Sequence, residues 1–361
     1  MKLLIKNFLI SYALLCICGC ESEKSYKNAD TFSYKDFVEK PLTLHGEILP
    51  IEVMSNIPKV LCVDSTALII NFNRDYWITS YNLNNFQEID NYIPFGSGPE
   101  EMLDLRDYFF KDEKIWAFSI NQQKIQTYCL SQFLCAGQTT PEKIIHLNEK
   151  QNCNVLSLTS GHIITATFGH KNTHLALYSE DGTFLRHFGE VPDYGVKLTL
   201  VEQEMAFICQ LCNIPPDNFL ISYLGTDLLE LYDNTGVLKK TIHGPDHFFP
   251  DMKQTSTPEG YISNIGRKAH YGYYSPVFTG NEIWILYSGE NMFSYEKSNP
   301  QKPLLMNKIL VFSKDLVPKR IIDLDIPIYS LTIDSLNNVF YGITLDSEYC
   351  IVKYKTTFNR D

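Results

Sequence analysis

The chain has 361 residues, of which 44% are hydrophobic and 20% are charged, a composition typical of a globular protein with a substantial core. It contains 31 Lys and Arg against 42 Asp and Glu, so the formal net charge is −11. Nucleic-acid binding needs clustered basic residues, and this acidic balance argues against nucleic acid as a partner.

The first residues have the pattern of an export signal. Lys2 and Lys6 precede a mostly apolar run over residues 7–19 that ends in small residues. This run is too short to span a bilayer, which requires about 20 apolar residues. We therefore predict a signal peptide over residues 1–19.

The cleavage region contains a candidate lipid-attachment site. The sequence Ile17-Cys-Gly-Cys20 resembles the bacterial lipobox, and the resemblance implies that Cys20 is acylated after cleavage. Acyl chains would attach the protein to a membrane by burying their CH₂ groups. Glu21 and Glu23 resemble signals for the outer membrane. We expect an outer-membrane lipoprotein, facing the periplasm or the cell surface, with an acylated N-terminus and tether over residues 20–41; an ordinary cleaved signal is the alternative.

One pattern recurs six times in the rest of the chain. An aliphatic residue is followed three positions later by an aromatic one, and the six aromatics are separated by 47, 50, 54, 80 and 42 residues. This spacing is typical of propeller blades, which take about 40 to 50 residues each. The six pairs are Ile78/Tyr81, Ile125/Tyr128, Leu175/Tyr178, Leu229/Tyr232, Ile309/Phe312 and Ile351/Tyr354.

A second apolar run precedes each of these pairs. Residues 115–118 and 283–286 are apolar at consecutive positions, which indicates strands buried on both faces, as in sheets stacked between neighbouring sheets. The sequence thus predicts an all-β fold: a single six-bladed β-propeller with four-stranded antiparallel blades over residues 42–357. Because the chain ends soon after Tyr354, residues around 42–50 are expected to supply the last outer strand and close the ring.

A short motif adds a family resemblance. The segment Phe95-Gly-Ser-Gly-Pro-Glu-Glu101 and the turn Tyr232-Asp-Asn-Thr-Gly236 are similar to segments of the TolB-like six-bladed propeller lipoproteins. The resemblance covers residues 50–355. It implies the propeller fold and an envelope location, and it implies no particular activity, because the family is largely of unknown function.

The innermost strands provide the candidate binding residues. Propeller enzymes gather metal-ligating carboxylates and amides from these strands on the central axis, and the expected strands here contain too few acids for a calcium site with six to eight oxygen ligands. The axis is thus predicted to be a binding surface. The candidate residues are Asp64, Arg106, Asp107, Asn154 and Gln210.

Histidines and cysteines form two further candidate groups. His243, Asp246 and His247 surround a predicted turn and have side chains that suit zinc, although turns also collect such residues for conformational reasons. Cys209 and Cys212 form a CxxC within an apparent strand, where residues three apart point to opposite faces, which argues against a redox or metal role. No cofactor is predicted; a divalent calcium or zinc ion is the alternative.

These patterns contain no catalytic constellation. The leading hypothesis is a non-enzymatic propeller module that binds a peptide, a glycan or an envelope protein partner through its loop face. A metal-dependent hydrolase or lyase with its site on the axis is one alternative, and a structural subunit of an envelope complex is another. Propellers host all three classes, so the fold alone does not separate them.

Overall fold

The computed structural model describes residues 24–53, 59–73, 75–135, 137, 140–149, 151–170, 172–257, 260–294, 304–345 and 348–358. The signal peptide and Cys20 lie outside the described residues. Six antiparallel sheets surround a central axis, so the predicted six-bladed β-propeller is confirmed.

Three N-terminal strands precede the first blade. Each of the first three blades is a four-stranded antiparallel sheet whose strands follow chain order from the axis outward. The N-terminal strands are β1 (Asp30–Thr31), β2 (Leu42–Leu44) and β3 (Gly46–Val53). The blades contain β4 (Val60–Val63), β5 (Thr66–Asn73), β6 (Tyr76–Asn82) and β7 (Glu88–Pro94); β8 (Asp107–Lys111), β9 (Lys114–Ser119), β10 (Lys124–Cys129) and β11 (Lys143–His146); and β12 (Asn152–Ser157), β13 (Ile163–Thr167), β14 (Thr173–Tyr178) and β15 (Phe184–Glu190).

The second half of the ring has the same strand order and longer insertions. A short helix, α1 (Leu200–Ala206), precedes blade four, and a separate hairpin, β20 (Met252–Thr257) and β21 (Gly260–Ile265), follows it. The three blades contain β16 (Cys209–Ile214), β17 (Asn218–Tyr223), β18 (Leu228–Asp233) and β19 (Leu238–His243); β22 (Tyr273–Phe278), β23 (Glu282–Tyr287), β24 (Met306–Ser313) and β25 (Pro318–Ile328); and β26 (Thr332–Asp334), β27 (Val339–Leu345) and β28 (Tyr349–Lys355).

The N-terminal part of the chain closes the ring. Strand β3 pairs antiparallel with β28 and serves as the outer strand of blade six, as the sequence predicted within a few residues. Strand β2 also lies inside the segment that was expected to supply the outer strand of blade six. It pairs instead in parallel with β25 of blade five. Closure between the two ends of the chain leaves no blade without its outer strand.

The recurring aliphatic and aromatic pairs occupy the third strand of every blade. The preceding apolar runs form the second strands. Residues Ile115 to Phe118 are all buried, and residues Ile283 to Leu286 have no exposed surface. The expectation of strands buried on both faces is therefore confirmed, and the core consists of apolar layers between successive blades.

The two faces of the ring differ in their connections. Because all first strands run in the same direction along the axis, the short turns after first and third strands lie on one face, here called the hairpin face. The connections between blades lie on the other, here called the long-loop face. It carries α1, whose capping box joins Thr199 and Glu202, and the hairpin of β20 and β21.

Part of the segment predicted as a tether packs against the propeller. Tyr26 is buried, and its hydroxyl donates to Thr226 Oγ1 at 2.9 Å. Strand β1 pairs in parallel with β19, and Phe32 is buried against blades four and five. From Tyr26 onward this segment belongs to the folded body.

Candidate functional site at the axial mouth

The starts of the first strands meet on the long-loop face. Lys59 precedes β4 and Asp107 begins β8, and the Lys59 Nζ lies 2.5 Å from Asp107 Oδ1. The Lys59 ammonium also lies 5.4 Å from the centre of the Tyr108 ring. This ion pair joins blade one to blade two at one end of the axis, which we call the axial mouth.

A separate set of hydrogen bonds joins the first strands of the other blades. Asn154 Nδ2 donates to the Cys209 carbonyl oxygen at 2.6 Å, which joins blades three and four. Gln210 Oε1 accepts from the Ser275 amide at 2.5 Å, and the Leu331 amide donates to Ser275 Oγ at 2.9 Å. This second set of polar contacts reaches from blade three to the start of blade six. Together with the ion pair between blades one and two it lines the mouth, and we call the two sets the polar ring.

Ser275 has an unusual backbone in this ring. Its φ is 50°, in the left-handed region that residues other than glycine rarely adopt, and it lies at a register shift between β22 and β23. Its amide and its hydroxyl are both held by the neighbouring blades. The surrounding blades thus stabilise an irregular strand that faces the axis.

Arg106 lies beside the axial mouth, immediately before β8. Its side chain is exposed, and in the described ranges no carboxylate lies within 4.0 Å of its guanidinium. Burial raises the pKa of Tyr274, and the positive charge of Arg106 and a hydrogen bond with Gln210 partly oppose that rise. Arg106, Gln210 and Tyr274 therefore form one electrostatic neighbourhood.

Four of the five predicted axial residues gather at this mouth, and Asp64 does not. Asp64 lies in the turn after β4, on the hairpin face, with a φ of 47° and an exposed side chain. A residue that ends a first strand is at the opposite end of the axis from residues that begin one. Its neighbour Ser65 lines a separate cavity of about 410 Å³ between blades one and six, with Lys353 and Lys355 on its wall.

The predicted histidine group is arranged around a buried carboxylate that the sequence analysis missed. His243 Nε2 lies 2.9 Å from Asp227 Oδ1, and both side chains are buried. Asp227 Oδ2 accepts from the amides of Asp246 and His247 at 2.8 and 2.7 Å. The group therefore holds the turn after β19 in place.

The three residues predicted to bind a metal, His243, Asp246 and His247, do not converge on one point. Asp246 Oδ2 accepts from the hydroxyls of Tyr34 and Tyr287 at 3.1 and 2.7 Å, while His243 faces Asp227 and the Phe248 carbonyl oxygen. Among the described residues, no three His, Cys, Asp or Glu side chains form an arrangement that could hold a metal ion.

The CxxC cysteines lie on opposite faces of β16, as predicted. Cys209 packs between blades three and four, and Cys212 packs between blades four and five. Burial raises the pKa of Cys212 to about 12 and that of Cys209 well above its usual range. Thiols with such pKa values are poor nucleophiles at neutral pH.

Lys59, Tyr274 and Ser275 were also missed. Lys59 immediately precedes a first strand, so extending each expected strand by one residue would have found it. Tyr274 and Ser275 lie within β22 but carry no net charge, whereas the axial sites of propeller enzymes use carboxylates and amides.

The geometry defines a single-domain six-bladed β-propeller with a polar axial mouth. The chain belongs to the TolB-like 6-blade propeller-like family, which matches residues 34–336. No helix in the described ranges is long and apolar enough to cross a bilayer.

Two of the solved structures that share the fold have TM-scores above 0.5. One is a protein of Bacteroides fragilis NCTC 9343 described as exported, with 10% identity and a TM-score of 0.53, covering 88% of this chain and 100% of that chain. The other is a member of the DUF4221 family from Bacteroides vulgatus ATCC 8482, with 9% identity and a TM-score of 0.52, covering 93% of this chain and 99% of that chain. No curated protein matches the chain. At these identities the likeness shows the fold alone.

Proposed function

We propose that this protein is a lipid-anchored envelope propeller without catalytic activity that binds a carboxylate-bearing peptide, glycan or protein partner at its axial mouth. The observation that carries the proposal is the exposed Arg106 guanidinium at the edge of a polar ring. Arginine binds carboxylates through paired N–H groups, and it is more weakly hydrated than lysine. An anionic group at the mouth would complete the local charge balance.

The neighbouring side chains suit this task in different ways. Lys59 and Asp107 neutralise each other, so they contribute shape and hydrogen bonding more than net charge. Gln210 and Asn154 are held by backbone groups of adjacent blades and change little on binding. A rigid polar ring beside the exposed Arg106 cation lowers the entropic cost of binding.

An array experiment tests the binding proposal. Purified protein is applied to peptides and oligosaccharides that carry carboxylates, each printed beside its neutral amide. We expect binding to some carboxylate probes, and Arg106→Ala should weaken it by roughly tenfold or more, the effect of one charged hydrogen-bonding partner. Lys314→Ala, which removes one exposed positive charge from the hairpin face, is the matched control. Binding that is indifferent to Arg106→Ala would overturn the proposal.

The anchor is tested separately. The lipobox-like segment before Cys20 supports acylation, and Glu21 and Glu23 support attachment to the outer membrane. Cys20→Ala should abolish incorporation of labelled lipid and release the protein from the membrane fraction. Cys18→Ala, which leaves Cys20 in place, should retain both. Membrane retention of the Cys20→Ala protein without lipid label would contradict acylation at this residue.

A further inference from the structure

The described chain begins on one sector of the long-loop face. Lys24 Nζ lies 5.9 Å from the centre of the Tyr194 ring, and the Lys27 amide donates to the Asp193 carbonyl oxygen at 3.3 Å. Tyr26 is buried beside Tyr194, with 5.7 Å between the ring centres. Cys20 is four residues before Lys24, and an extended chain of that length reaches at most about 14 Å between the two Cα atoms.

Exposed apolar side chains surround this sector. They lie on the connection that carries α1 and on the adjacent hairpin of β20 and β21, which contacts α1. Val201 and Ile262 are each 53% exposed. We call this group the rim patch: Val196, Leu200, Val201, Ile208 and Ile262.

Exposed basic residues accompany the rim patch. In the ranges that the structure describes, none of their ammonium groups has a carboxylate within 4.0 Å. They are Lys24, Lys27, Lys197, Lys253 and Lys268.

Three acids of this sector accept hydrogen bonds from backbone amides. Asp193 accepts from the Gly195 amide at 2.9 Å, Glu204 from Gly169 at 2.6 Å and Asp251 from Lys268 at 2.8 Å. The sector thus presents exposed apolar side chains beside five exposed lysines, with these three carboxylates held by backbone amides, on a protein whose net charge is negative.

We propose that the rim patch contacts a lipid surface with anionic head groups and so sets the orientation of the propeller on its membrane. Apolar side chains enter the boundary between head groups and acyl chains, and nearby lysines pair with lipid phosphates. The proposal rests on the acylation of Cys20, because a short connection from Cys20 to Lys24 brings this sector to the membrane first. Contact through one sector tilts the ring and leaves the axial mouth open beside the membrane.

Energy transfer measures this orientation directly. The full acylated protein is placed on vesicles of phosphatidylethanolamine and phosphatidylglycerol that carry an acceptor dye at the head groups. A fluorescent amino acid is introduced either at Ser256, on the β20–β21 hairpin, or at Lys314, on the hairpin face. We expect transfer from position 256 to be several-fold greater than transfer from position 314.

Paired variants separate the rim patch from the anchor. Leu200→Asp with Val201→Asp should reduce the transfer from position 256 to the level of position 314 while the protein stays on the vesicles. Val237→Asp with Val317→Asp, on exposed turns of the hairpin face, should leave the difference intact. Circular dichroism confirms that each variant folds, and the single variant Ile262→Asp replaces the pair if α1 is lost.

The outcomes are distinct. Equal transfer from both positions would overturn the membrane contact and would leave a protein partner as the occupant of the rim patch. A difference that survives the Leu200→Asp and Val201→Asp changes would also overturn it. Mass spectrometry of the N-terminal peptide decides whether Cys20 is acylated. An unacylated peptide would refute the anchor, independently of the ligand bound at the axial mouth.

Discussion

Arg320 forms a bidentate ion pair with the buried carboxylate of Glu282, through both terminal nitrogens of its guanidinium. Nη1 lies 2.8 Å from Oε1 and Nη2 lies 2.5 Å from Oε2, and Lys319 Nζ adds a third contact at 2.8 Å. Arg320 Nη1 also donates to Glu39 at 3.0 Å. The pair therefore joins blade five to the N-terminal segment.

Glu282→Gln should destabilise the protein, mainly by leaving Arg320 without its charge partner. Burial alone would raise the pKa of Glu282, but hydrogen bonds from Arg320 and Lys319 outweigh it and hold the pKa at about 2. Breaking a buried pair costs about 3 kcal/mol. We expect that loss in urea unfolding at pH 7. Glu39→Gln, at the exposed partner of the same arginine, should cost less than about 1 kcal/mol.

The pH dependence of the same variant has a definite sign. Because the pKa of Glu282 is below its ordinary value of 4.5, its stabilisation is present above pH 4.5 and is lost as the pH falls towards 2. The thermal midpoint of the native protein should therefore fall more steeply over this window than that of Glu282→Gln. Parallel curves for the two proteins would contradict the assignment.

Glu230 should act in the opposite direction. It accepts from Tyr223 and Tyr232 at 2.8 and 3.1 Å, and Tyr223 also contacts His174 Nε2 at 2.8 Å. Burial raises the pKa of Glu230 to about 7, although both tyrosine hydrogen bonds oppose the rise. The folded state therefore favours the protonated form of Glu230. This stabilisation of the fold is fully present below pH 4.5 and is lost as the pH rises through 7.

Glu230→Gln tests this by calorimetry. The variant keeps an acceptor oxygen and cannot ionise, so its thermal midpoint should fall less than that of the native protein between pH 5 and 8. Glu190→Gln, an exposed carboxylate on the outer strand of blade three, should follow the native curve. If Glu230→Gln also follows the native curve, the raised pKa is wrong.

The sequence predicted most of the fold because the blades repeat a local pattern. Each second strand and each third strand is a short apolar run, so six units were visible without any long-range information. The closing strand was inferred from the missing outer strand of the last blade. The pairing of β1 with β19 was not visible, since it joins segments more than 200 residues apart and depends on two strand residues.

The candidate site was less predictable for a physical reason. Arg106, Asp107, Asn154 and Gln210 were found because they lie at the starts of first strands. Asp64 was placed wrongly, because the direction of a strand decides which end of the axis a residue reaches.

Contacts between separate strands of one blade were invisible to the sequence analysis. The pair of His243 and Asp227 and the pair of Glu282 and Arg320 depend on the register between separate strands, which apolar periodicity does not encode.

Tyr26 should hold the N-terminal segment on the ring. Its ring contacts Tyr194, Phe249 and His243, and its hydroxyl donates to Thr226. Tyr26→Phe should cost about 1 kcal/mol through the lost hydrogen bond, and Tyr26→Ala about 3 to 5 kcal/mol through the lost packing.

Hydrogen exchange should locate that effect. With Tyr26→Ala, exchange should accelerate in β1 and remain unchanged in blade one, which Tyr26 does not contact. Tyr34→Phe, at a more exposed tyrosine of the same segment, is the control and should change exchange little. Uniform acceleration over all blades would contradict a local role for Tyr26.

The purified protein should contain well below one equivalent of zinc or calcium, and a chelator should not lower its thermal midpoint. The reason lies in the partners of the histidine group: Asp227 and the Phe248 carbonyl oxygen occupy His243, and two tyrosine hydroxyls occupy Asp246. Elemental mass spectrometry measures the metal. His243→Ala should destabilise by about 1 to 3 kcal/mol, because Asp227 loses a buried polar partner. The exposed His247→Ala should cost about 1 kcal/mol or less, a cost that comes from its φ of 58°. One metal ion per chain, lost from His247→Ala and from chelated native protein together with thermal stability, would restore the metal-site hypothesis and favour a hydrolytic role.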